Sequence, residues 1–134
     1  MLEVKIFTLY PDLFPGPLDI GIFKKAKENK IWDLKVINIR DYSKDNHGTV
    51  DDTPFGGGSG MLLRPDILAS ALDKNIKKGE KIIYLSPRGK KFDQNVARSL
   101  SKEKNLNLIC GHFEGVDQRL LETRNIEEYS LGDF

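Results

Sequence analysis

Two short runs constrain this chain more than anything else in it: Lys81–Ser86 (KIIYLS) and Leu106–Cys110 (LNLIC). Both are dense in apolar residues and bounded by polar segments, the pattern of strands covered on both faces, as in a parallel sheet. Parallel neighbours need a crossover connection, and the residues between the runs supply one, with Phe92, Val96 and Leu100 stepping by four along a predicted helix. The same alternation extends outwards. Leu2–Leu9 reads as a strand, and Leu18, Ile22 and Ala26, with Phe23 alongside, read as an amphipathic helix. Asp33–Ile39 is a second strand; Pro65 suits a first helical position, followed by an apolar stripe of Ile67, Leu68, Ala71, Leu72 and Ile76. Asp117–Arg124 reads as a short helix, and the closing EEYSLGDF as a last strand running into a turn. The expected class is therefore α/β, a mainly parallel sheet flanked by helices. At 134 residues the chain suits one domain, and it shows no internal repeat or domain boundary.

The stretch Arg40–Arg64 is longer than a compact domain normally leaves without a use, and it contains TVDDTPFGGGSGM, Thr49–Met61. Glycine loses more backbone freedom on folding than any other residue, so ordering this segment is costly. Asp51 and Asp52 are ordinary turn residues on one reading; on the other they serve a site, with Phe55 offering a flat face for a base. Ligands of open α/β sheets bind beyond the carboxyl ends of strands. Three such ends run into glycine within a few residues: SPRG after Leu85, GHFEG after Cys110 and LGDF after the strand near Tyr129. Glu114 and Asp133 sit in two of them.

Several chemistries are excluded. GGGSGM lacks the Gly-Lys-Ser/Thr continuation of a phosphate-binding loop, and the first strand leads into TLYPDLFPG rather than a dinucleotide-binding glycine pattern. His47 and His112 lie far apart with a single cysteine, so metal-ligand spacing is absent. Cys110 ends an apolar strand and reads as a small buried hydrophobe. One cysteine also forbids an intrachain disulfide and points to a reducing compartment. Without a leader or an apolar run of spanning length, the expectation is a soluble cytoplasmic protein with no membrane partner. Lys+Arg total 21 against 20 Asp+Glu, so nucleic-acid binding would have to use a local patch. The clusters Lys24, Lys25, Lys27, Lys30 and Arg88, Lys90, Lys91 are candidates, although most such clusters are solvated faces.

Taken together, YPDLF, TVDDTPFGGGSGM, YLSPRGKKFDQ, CGHFEGVDQR and EEYSLGDF resemble bacterial tRNA (guanine-N1)-methyltransferases over nearly the whole chain. The resemblance implies a trefoil-knotted SPOUT-type fold, a homodimer, S-adenosylmethionine as methyl donor and guanine 37 of tRNA as acceptor. Carried over by position, the cofactor-binding residues are Leu85, Ser86, Pro87, Gly111, Leu131, Gly132, Asp133 and Phe134. Glu114 and Asp51 take catalytic roles, and Asp52, Phe55, Gly56, Gly57, Gly58 and Gly60 form a substrate-side loop, expected to be mobile without ligand. The resemblance admits Mg2+ without marking a site for it.

The family's usual base, an aspartate, its arginine partner and a tRNA-gripping helical domain follow the GDF motif. Residues 1–134 are thus expected to be the N-terminal domain, with a knot either complete or incomplete in this chain and activity weak or absent without the remainder. Arg88 stands where glutamine is common, and His112 and Phe113 where Arg-Tyr is common. A knotted methyltransferase with another RNA target, or a non-catalytic RNA- or nucleotide-binding domain, would use the same loops.

Overall fold

The computed structural model describes residues 1–43, 64–110 and 116–132, together with the backbone at 51–52 and 62–63. Its centre is a five-stranded sheet of β1 (Leu2–Thr8), β2 (Trp32–Asn38), β5 (Lys81–Lys91), β6 (Asn105–Cys110) and β7 (Ile126–Ser130). The spatial order is β2-β1-β6-β5-β7, and every pairing is parallel. Helices α1 (Gly21–Glu28), α2 (Pro65–Asn75), α3 (Gln94–Leu100) and α4 (Gln118–Thr123) provide the connections. The remaining strands, β3 (Asp51–Asp52) and β4 (Leu62–Leu63), form a separate antiparallel pair.

The dense apolar runs follow from two covered faces. Ile82 and Tyr84 point into the larger core layer, where Phe7, Ile37 and Ile109 meet Ile67, Leu68, Ala71 and Leu72 of α2 and Leu120 and Leu121 of α4. Ile83, between them in sequence, points the other way and packs with Leu106 and with Leu100 of α3. Each buried aliphatic or aromatic side chain of this kind contributes about 1.5–3 kcal/mol. Asn107 breaks the apolar run of β6; fully buried, it donates from Nδ2 to the Lys81 carbonyl at 3.0 Å and so bridges β6 to the first residue of β5.

Three elements differ from the sequence expectation. Leu18 lies in a 3-10 turn, Gly16–Asp19, and the two-turn helix α1 buries none of its residues. It is attached instead by the Trp32 indole, which donates to the Phe23 carbonyl at 3.0 Å while Lys27 lies over the ring. Ile22 and Phe23 face outward. Phe92 lies ahead of α3 rather than in it, because the Asp93 side chain caps the helix by accepting from the Val96 amide at 2.9 Å. Finally, β5 does not stop at Ser86. It leaves β7 after the pair Leu85↔Tyr129 and rejoins it at Lys90↔Tyr129 and Lys91↔Ser130.

The long segment Arg40–Arg64 is shortened by a 3-10 turn at Ile39–Tyr42 and by the β3/β4 ladder, with Asp51 opposite Leu63 and Asp52 opposite Leu62. This ladder joins the two ends of the glycine-rich loop. The interior of that loop, including Phe55, Gly56, Gly57, Gly58 and Gly60, lies outside the described residues, as does its expected mobility. Among the described residues, no helix is long and apolar enough to cross a membrane.

Candidate active site

A parallel sheet delivers all its carboxyl ends to one edge, so the three loops singled out in the sequence belong together only if their strands are neighbours. They are: β6, β5 and β7 are consecutive in the sheet. Leu85, Cys110 and Ser130 therefore end adjacent strands, or adjacent limbs of them, at the same edge.

Leu85 is half-buried against the smaller core cluster, and Ser86, half-buried, accepts a hydrogen bond at Oγ from the Arg88 amide at 3.2 Å. Pro87 is exposed. At the end of β7, the buried Ser130 hydroxyl donates to the Gly132 carbonyl at 3.1 Å, and its oxygen lies 3.3 Å from the Gly132 amide, which closes the turn. Leu131, before that glycine, is an apolar side chain left 59% exposed at the end of the strand. Asp51 and Asp52 are described by backbone alone. Gly111, Glu114, Asp133 and Phe134 lie outside the described residues.

Burial pushes the Cys110 thiol up, so it stays protonated at neutral pH and is a poor nucleophile. Burial, and then the Glu128 carboxylate, push the Tyr84 phenol up against an opposing pull from Arg88. Below Leu85, Lys81 Nζ donates to Glu127 Oε1 at 2.8 Å and the Tyr129 hydroxyl donates to Glu127 Oε2 at 2.7 Å. The Lys81 bond, then the Tyr129 bond, hold the Glu127 carboxyl below its ordinary range. Phe92 packs edge-on against the Tyr129 ring, with centroids 5.9 Å apart. Tyr129 is thus held at both its ring and its hydroxyl.

At the opposite, amino-terminal edge, a cleft of about 440 Å³ is lined by residues including Asp73, Lys77, Gly79 and Arg124. Arg124 binds both carboxylate oxygens of Asp73, at 3.0 and 2.9 Å. Hydrogen bonding from Arg124 pulls the Asp73 carboxyl below its usual value, so the pair stays ionised and mutually neutralised. Its chemistry is that of a structural brace. Among the described residues, no group of three or more His, Cys, Asp or Glu could hold a metal ion.

The residues that hold the edge in shape were not legible as site residues. Ser130 and Tyr129 read as ordinary strand positions in the sequence. Only the pairing of β5 with β7 reveals what they do.

A family model described as tRNA (Guanine-1)-methyltransferase TrmD matches residues 2–134. The tRNA (guanine-N(1)-)-methyltransferase of Pelagibacter ubique strain HTCC1062 is 69% identical over 134 residues, covering 100% of this chain and 59% of the relative. Enzymes of the same name from Wolbachia pipientis wMel and Alkaliphilus oremlandii strain OhILAs are each 46% identical, with 98% of this chain covered and 57% and 56% of the relatives. The chain therefore spans somewhat under three fifths of these relatives. A match running from Leu2 to Phe134, joined to identity of this level, decides the family: this chain belongs to the tRNA (guanine-1)-methyltransferases.

Proposed function

We propose that the protein containing this chain transfers a methyl group from S-adenosylmethionine to N1 of guanine 37 in tRNA. The observation that carries this reading is the adjacency of β6, β5 and β7, which gathers three glycine-bearing strand ends at one edge. Leu85, Ser86, Pro87, Gly111, Leu131, Gly132, Asp133 and Phe134 would hold the donor there. The described members suit it: exposed Leu131 and half-buried Leu85 offer apolar contact, and the turn closed by Ser130 presents backbone at Gly132. The donor supplies an electrophilic methyl group on a sulfonium.

What remains for the protein is positioning and proton handling. Guanine N1 carries a proton at neutral pH that must leave as the new bond forms. Glu114 and Asp51 would act on that proton or position the base that removes it. Negative charge then grows on O6, which calls for a nearby donor. Asp52, Phe55, Gly56, Gly57, Gly58 and Gly60 would shape the guanine side, where small residues let an extruded base approach. Any Mg2+ would draw ligands from outside the described residues or from tRNA phosphates. A trefoil knot and a cytoplasmic setting accompany this reading; the lone cysteine agrees with the latter.

The reading includes a homodimer. Leu13, Ile20, Ile22 and Phe23 are 52–77% exposed in one stretch of chain, a concentration of apolar surface that calls for a partner. Sedimentation of the chain should give a dimer at micromolar concentration, and Phe23→Asp should shift it towards monomer; a wild-type monomer would refute the dimer.

The activity is tested with the chain extended to its relatives' length, S-adenosylmethionine and a tRNA transcript carrying G37. Mass spectrometry should locate 1-methylguanine at position 37, with no transfer to an A37 transcript. Methylation elsewhere, or saturable RNA binding without donor binding, would overturn the proposal.

A further inference from the structure

The excursion of β5 away from β7 contains four residues, Ser86, Pro87, Arg88 and Gly89, because Leu85 and Lys90 both stand opposite Tyr129. The chain must therefore leave and return at one point of the neighbouring strand. Gly89 makes the return. A Cβ built on it would lie 2.5 Å from the Glu128 carbonyl carbon and the Tyr129 amide nitrogen, and 2.6 Å from the Tyr129 Cα. Every one of these is a backbone atom, so no rotamer change relieves the contact.

The strand it meets is not free to retreat. β7 is tied to β5 on both sides of the excursion: Glu127 accepts from Lys81 Nζ at 2.8 Å, the Tyr129 ring packs on Phe92, and the Phe92 amide donates to the Ser130 carbonyl at 2.7 Å just after the excursion rejoins the sheet. With β7 clamped, the displacement forced by a side chain at position 89 falls on the excursion itself. Ser86 is tied into the same turn by the Arg88 amide.

We propose that Gly89 is a positioning residue: its bare Cα seats the Ser86–Gly89 excursion on the backbone of β7 and so places Leu85, Ser86 and Pro87 for the methyl donor. This rests on the donor site argued under Proposed function. Gly89 touches no reacting atom and acts through the loop. A misplacement of about 1 Å at such a site can cost around 100-fold.

The test uses the full-length protein and calorimetry with S-adenosylmethionine. Gly89→Ala, checked for a native circular dichroism spectrum, should bind the donor roughly 10-fold or more weakly. Gly79→Ala is the control for plain glycine loss. Gly79 has φ +94° with nothing within 4 Å of its Cβ direction, at the other end of β5, so this change should lower the unfolding midpoint and leave donor affinity unaltered. A folded Gly89→Ala protein that binds like wild type overturns the proposal.

If Gly89→Ala does not fold, hydrogen exchange on the wild-type protein decides. Donor addition should slow the amides of Arg88 and Gly89 together with those of Glu128 and Tyr129, and protection that spares position 89 and β7 overturns it. Wild-type protein that fails to bind the donor at all refutes the donor site, and the role of Gly89 there falls with it.

Discussion

A polypeptide of these 134 residues alone is expected to methylate tRNA at least ~100-fold more slowly than the chain extended to its relatives' length, because a positioned general base contributes about 100- to 10,000-fold. In the family this chain resembles, that base and its arginine partner follow the Gly-Asp-Phe motif, and the chain spans 59% of its Pelagibacter ubique relative. Donor binding should suffer less, since Leu85 is paired with Tyr129, Ser86 accepts from the Arg88 amide and Ser130 closes the turn at Gly132 within these residues. Single-turnover transfer to a G37 transcript, with donor affinity measured on both chains, separates the two effects. Equal rates would place the base within the 134 residues, with Glu114 and Asp51 the first to substitute.

The sheet was legible because its strands announce two covered faces. Ile82, Ile83 and Tyr84 are consecutive and apolar, and the structure sends them alternately to the two core layers. Helix α1 is amphipathic as its spacing predicts but starts after Leu18, and four-residue spacing shows only that a helix has an apolar side, not what that side faces. Ile22 is 77% exposed.

The three strand ends proposed to hold the donor stand out in the sequence because glycine follows each of them. The strand order does not, because β6 inserts between β1 and β5 through contacts far apart in the chain. Gly89 shows the same limit at one residue. Its requirement comes from the backbone of Glu128 and Tyr129, some forty positions later, and no local pattern encodes that approach.

Phe7→Ala should cost about 3–5 kcal/mol of folding stability, the usual penalty for emptying a buried phenylalanine site. Phe7 is fully buried on β1, in the cluster shared with α2 and α4, and β1 is flanked on both sides by β2 and β6. Backbone paired on both edges leaves the layer little freedom to collapse into the void. Domains are stable by about 5–15 kcal/mol in total, so the loss consumes a large share of the margin. A ligand that binds only the folded state offsets part of it, about 2.7 kcal/mol at 100 times its dissociation constant. Urea unfolding of wild type and Phe7→Ala, each with and without S-adenosylmethionine, should therefore show a midpoint that the donor raises in both proteins without returning the variant to the unliganded wild-type value. A loss below about 1 kcal/mol would mean that the layer closes around the missing ring, contrary to the close packing that interiors of this kind normally keep.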